Sequence, residues 1–110
     1  MEISIDKQSK ATIVVVKGRM DGVSAPEFEK TMADQIATGA RRFVVDCSAL
    51  DYISSAGLRS LLITAKSLRA CDGELVFAAL RDLVREVFDI GGFSTIFSIY
   101  DSTDAALKRW

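Results

Sequence analysis

The chain has 110 residues, 49% of them hydrophobic and 26% charged, the composition of one globular domain rather than of a disordered segment. Fourteen Lys and Arg against fifteen Asp and Glu leave a net charge of −1, which supplies no concentrated basic face for a nucleic-acid backbone. With no histidine, Ser-His-Asp catalysis and the commonest metal ligand are excluded; with no paired-carboxylate motif and no glycine-rich phosphate loop either, the sequence points to a non-enzyme without a cofactor.

Taken in chain order, residues 2–8 alternate loosely around Ile3 and Ile5, and residues 11–17 form a β-branched run. Gln8-Ser9-Lys10 between them predicts a hairpin turn. Glu2 and Asp6 stand where a secretory leader needs positive charge, and no apolar run reaches the length of a membrane span. The expectation is a soluble, cytoplasmic protein with no membrane insertion.

Gly18-Arg19-Met20-Asp21-Gly22 is expected to end the second strand. A helix signature follows: Ser24 as N-cap, Pro26 in the first turn, and Glu27 three residues after the cap as in a capping box. Phe28, Met32 and Ile36 make its buried stripe and Gly39 ends it. Arg41-Arg42 leads into a short apolar strand, residues 43–45, closed by Asp46. Leu58, Leu61, Leu62, Ala65 and Leu68 are the stripe of a second amphipathic helix, ending near Cys71-Asp72-Gly73.

Residues 74–78 are another apolar strand. Leu80, Leu83, Val84, Val87 and Phe88 share one face of a third helix, with Gly91-Gly92 beyond its end. A last strand is expected over 95–100, and Asp101 or Ser102 caps a final helix, residues 103–110. Cys47 and Cys71 match no metal or redox spacing and read as reduced thiols. The pattern ββαβαβαβα predicts one α/β domain over residues 1–110: a mostly parallel sheet with an antiparallel N-terminal strand and helices packed on it.

In such sheets sites gather at the carboxyl ends of the strands, an edge expected to hold Asp21, Asp46 and the pair Ser54-Ser55. If Ser54 is the N-cap of the second helix, its Oγ accepts the amide of Ala56 or Gly57, and Ser55 becomes the first helical residue with a free hydroxyl. One reading makes both serines simple caps. The other makes Ser55 a phosphate acceptor, because a group of about −1.5 to −2 charge would meet the positive end of the helix dipole. Arg59, four residues on, either pairs with that phosphate or faces solvent. Ser60, Thr64 and Ser67 lie opposite the leucine stripe, where small hydroxyls would admit a partner helix. Asp46 lacks the second acid and the lysine of an aspartyl phospho-acceptor site, and is expected to bond loop amides near Ser48.

Three segments together resemble the STAS domain of bacterial anti-sigma factor antagonists over nearly the whole chain. They are Gly18-Arg19-Met20-Asp21, then Asp46-Cys47-Ser48 through Tyr52-Ile53-Ser54-Ser55-Ala56-Gly57-Leu58, and Val87-Phe88-Asp89-Ile90-Gly91-Gly92-Phe93. The resemblance implies a STAS-type fold and a non-catalytic regulator of transcription that acts by partner switching. In that family the anti-sigma factor is a serine kinase that phosphorylates a serine at the strand-to-helix junction. The unphosphorylated antagonist binds the kinase and frees the sigma factor, and a metal-dependent serine phosphatase restores it.

The acceptor maps onto Ser55, followed by Ala56-Gly57. Asp21 matches a family acid near the acceptor, or by its local chemistry only turns the loop. The chain carries Ser54 where many phosphorylated members have Asp, and Arg59 where others have Gly. The resemblance also admits a second role, as a structural STAS subunit of a stress-signalling or lipid-transport complex in which phosphorylation is not required.

Overall fold

In the computed structural model, which describes residues 1–110, five strands form a single sheet in sequence order. They are β1 (Glu2–Lys7), β2 (Thr12–Met20), β3 (Arg42–Ile53), β4 (Glu74–Ala78) and β5 (Ile99–Tyr100). β1 is antiparallel to β2 and every other pairing is parallel, as the alternation of strand and helix patterns requires. Four helices complete the expected ββαβαβαβα order: α1 (Ala25–Ala37), α2 (Ser55–Arg69), α3 (Asp82–Ile90) and α4 (Thr103–Leu107).

Period-2 alternation on the strands sorts the core into two layers. Val14, Val16, Phe43, Val45, Leu75 and Phe77 face α1, α2 and α3, burying Phe28, Met32, Leu61, Leu68, Val84 and Phe88 with them. Ile13, Val44, Val76 and Ala78 point the other way, onto Ala106 of α4. Phe77 anchors the larger layer, with edge-to-face contacts to Phe88 at 5.4 Å and Phe97 at 4.9 Å between ring centroids. Burying a side chain of that size contributes about 1.5–3 kcal/mol.

Several expectations are corrected. The second strand does not stop before Gly18: β2 continues to Met20, with Gly18 at φ +99° where the β2–β3 register slips. Only glycine takes that backbone conformation without strain, and it lets the strand absorb a bulge instead of stopping. β3 likewise does not close at Asp46. It runs to Ile53, because Cys47, Leu50 and Ile53 keep inward contacts while polar residues between them face out.

Of the strand expected over 95–100 only Ile99–Tyr100 pair, as β5; Thr95 closes a 3-10 turn, Phe93–Thr95, and residues 96–98 are irregular. Leu83, placed on the buried face of α3, is 69% exposed, since that helix buries only Val84 and Phe88. The final helix stops at Leu107, capped by Ser102, whose Oγ accepts the N–H of Ala105 at 3.0 Å.

The chain end is tied back to the start of β4. Glu74 accepts two hydrogen bonds from the Arg109 guanidinium and one from Trp110 Nε1, and Arg109 also donates to the Tyr100 hydroxyl at 2.9 Å. The Arg109 hydrogen bonds hold the Glu74 carboxyl below its ordinary value of 4.5. Because it titrates lower folded than unfolded, the unfolded chain binds the extra proton first, and stability rises with pH across that interval. The contribution is present above pH 4.5 and lost as pH falls through the folded value. Urea midpoints measured from pH 6 down to pH 3 should therefore fall more steeply for the wild type than for Glu74→Gln. Parallel curves would show that the tie adds nothing.

Candidate functional site

The junction between β3 and α2 is built from two strand ends and a helix start. Met20 and Ile53 are register partners, so Asp21 and Ser54 leave the sheet side by side. The Ser54 N–H donates to the Met20 carbonyl at 2.9 Å, fixing the turn before the helix begins. Ser54 is extended (φ −96°, ψ 175°), and its Oγ accepts the Gly57 N–H at 3.2 Å, as the cap chemistry predicts. Its carbonyl accepts the Leu58 N–H at 2.9 Å.

Gly57 explains why the helix starts so close to β2. A Cβ on it would lie 2.6 Å from the Met20 carbonyl oxygen and 2.7 Å from Ile53 Cγ1. A side chain there would push α2 off the strand. Ala56, one residue earlier, is exposed, and its Cβ is 3.8 Å from where a Gly22 Cβ would stand, which places the β2–α1 loop against the first turn of α2.

Ser55 is the first residue of α2, exposed, and its hydroxyl has no partner within the chain. Arg59 is one turn along, also exposed and in none of the ion pairs. The helix start thus offers one capped and one free hydroxyl.

Asp21 organises the adjoining loop. Its Oδ1 accepts the N–H groups of Val23 at 3.0 Å and Ser24 at 3.1 Å, and its carbonyl accepts the Ala25 N–H at 2.8 Å. The Ser24 N–H is the main reason its carboxyl lies below the ordinary 3.8, with the Val23 N–H, the Ser24 hydroxyl and Arg19 adding to it against partial burial. This corrects the expected capping box. Ser24 occupies the cap position, but its Oγ donates to the Arg19 carbonyl at 2.8 Å and makes no cap bond, and the Glu27 N–H that a cap would take donates to the Ser24 carbonyl instead at 3.0 Å.

Beside this loop lies a pair that the sequence reading missed. Arg19 and Tyr52 are register partners, with the guanidinium 4.1 Å from the centre of the phenol ring and its Nε 3.8 Å from Asp21 Oδ2. Recognising it requires β3 to reach residue 52; once the strand is that long, parallel register alone brings the two together. Val23 projects from the same loop, 91% exposed.

Four other expected site residues lie elsewhere or are occupied. Asp46 is in mid-strand, opposite Val15 and Ala78, and its Oδ1 accepts the Ser48 N–H at 2.9 Å, the local bond expected of it. Seven residues of strand separate it from Ser54, roughly 26 Å at full extension, so it is not part of the junction. Ser60 and Thr64 do not form an outward face. Both are buried, and Ser60 Oγ donates to Glu29 Oε2 of α1 at 2.7 Å. Small hydroxyls admit another helix here, as expected, but that helix is the chain's own α1. Ser67 is exposed, on the rim of a groove of about 510 Å³ between α1 and α2.

Cys47 is buried, which pushes its thiol well above the ordinary value and marks it as a core residue; Cys71 is half-buried, and both thiols are free. No three His, Cys, Asp or Glu side chains converge as a metal set. No helix is long and apolar enough to cross a membrane.

These features define a class: a single α/β domain with a mixed five-stranded sheet, helices on both faces, and a free hydroxyl presented at a braced strand-to-helix junction. The chain belongs to the STAS domain family, whose model matches residues 2–106. It is 44% identical over 106 residues to BtrV of Bordetella bronchiseptica, a protein named as an anti-sigma factor antagonist, with 96% of this chain and 91% of that one covered. It is 27% identical over 104 residues to the anti-sigma-B factor antagonist of Staphylococcus aureus, covering 94% and 96%. A crystal structure of an anti-sigma factor antagonist from Mycobacterium paratuberculosis superposes with a TM-score of 0.89 at 25% identity, covering 98% of this chain and 92% of that one.

Two substitutions separate the cap from the close approach. Ser54→Ala should cost about 1 kcal/mol in urea denaturation, the usual value of a lost N-cap. Gly57→Ala should cost more, about 1–3 kcal/mol, because the helix must shift from Met20. If Gly57→Ala proves neutral, the helix start is not held where the geometry places it.

Proposed function

We propose that this chain is an anti-sigma factor antagonist whose binding to an anti-sigma factor serine kinase is switched off by phosphorylation of Ser55. The observation that carries the reading is the free, exposed Ser55 hydroxyl at the start of α2, beside a neighbouring serine already committed as the cap. The names of the 44% and 27% identical relatives support the role of antagonist, and with it an anti-sigma factor as partner.

The chemistry is that of a substrate rather than of a catalyst. Ser55 is at the positive end of α2, where a phosphoryl dianion is tolerated by the unpaired helix amides, so the modified domain stays folded. Arg59, one turn on, is positioned to pair with the phosphate. Its effect falls on the partner: a dianion set into a packed interface would weaken binding by about 3 kcal/mol, roughly a hundredfold. Exposed Val23, Ala56 and Tyr52 around Ser55 supply apolar contact surface for that interface. A serine phosphatase closes the cycle by restoring the hydroxyl.

Incubation with the cognate kinase and ATP, followed by phosphosite mapping and binding measurements, tests this directly. Ser55→Ala should bind the kinase like the wild type and accept no phosphate, whereas Ser55→Asp should bind about tenfold to a hundredfold more weakly. Phosphate found on Ser54 with Ser55 unmodified would overturn the assignment.

A further inference from the structure

Along the second half of α2, roughly 10 to 21 Å from Ser55 along the helix, a cavity of about 740 Å³ opens between α2, the start of β4 and the segment after the 3-10 turn. Its volume falls in the range of small-molecule sites. Leu62 and Ala65 of α2, Leu75 of β4, and Ile96 and Phe97 form its apolar walls. Ile96 is 53% exposed at the mouth, an apolar side chain held half in water.

The polar groups are unevenly matched. Arg109 and Glu74 are closed on each other. Lys66 and Arg69, which also line the cavity, take part in none of the ion pairs, and only Asp72 opposes them. The mouth therefore carries a surplus of one positive charge. That matches a monoanionic head group and falls well short of a nucleoside triphosphate. Phe97 is only 8% exposed, so the walls also offer no open ring on which a base could stack.

We propose that this cavity binds a monoanionic amphiphile, with an acyl chain against Leu62, Ala65 and Ile96 and its carboxylate on Lys66 and Arg69. The site is separate from the serine junction and does not depend on its modification.

The probe is decanoate below its micellar concentration, titrated into the isotopically labelled full chain and followed by amide chemical shifts. Saturable shifts should be confined to residues 62–75 and 96–98. Decanol, which has the chain without the charge, should bind at least tenfold more weakly, as should decanoate with the double variant Lys66→Gln/Arg69→Gln. Both substituted side chains are exposed, so that variant should keep the native spectrum. Ile96→Asp, which sets a carboxylate at the mouth, is an independent check and should also lose binding. Absence of saturable shifts, equal affinity for decanol, or undiminished binding by either variant would overturn the proposal.

Discussion

The closest approach in the molecule with functional consequence is that of Gly57 to the carbonyl of Met20. β2 and β3 end in register, the Ser54 N–H bonds the Met20 carbonyl, and α2 can begin against β2 only because residue 57 has no side chain. Everything presented at that edge inherits its position from this contact. Ser54 is held extended to cap the helix, Ser55 is pushed outward as the first helical residue, and Ala56 abuts the loop that carries Asp21 and Val23. A hydroxyl on a mobile loop would pay ordering entropy each time a partner bound it; one on a helix wedged against a sheet does not.

The division of labour among the polar groups follows from how many backbone N–H groups need acceptors. The loop after β2 and the first turn of α2 both expose amides at the same edge. Asp21 satisfies those of Val23 and Ser24, and Ser54 satisfies that of Gly57. With these acceptors in place, Ser55 is left with no structural task. The Asp21 carboxylate is engaged by two amides and faces Arg19.

Much of this was readable from local rules, and what was missed has a common cause. The Ser54 cap, the free Ser55 and the Asp46–Ser48 bond each depend on residues within three positions of one another, where side-chain geometry is decisive. β3 was read too short because Ser48, Asp51 and Tyr52 break the apolar run, and only pairing with a bulged β2 shows that they lie on a strand. Ser60 and Thr64 lie opposite the leucine stripe, which by helical period alone points them away from the core toward a partner. In the fold they let α1 approach α2 closely, with Glu29 accepting the one hydrogen bond that burial of Ser60 demands. Leu83 departs in the other direction, an apolar residue in helical period that the fold leaves exposed.

Each strand pairs only with its neighbours in sequence, from β1 to β5. Parallel sheets often fold slowly, because central strands must await distant segments and the loops joining them must close first. Here no such wait is imposed. The stretch from β2 through α2 contains both strand ends, the capped helix and the loop held by Asp21, so the serine junction can condense as one nucleus. Each later βα unit therefore meets a pairing edge already supplied by the unit before it in the chain.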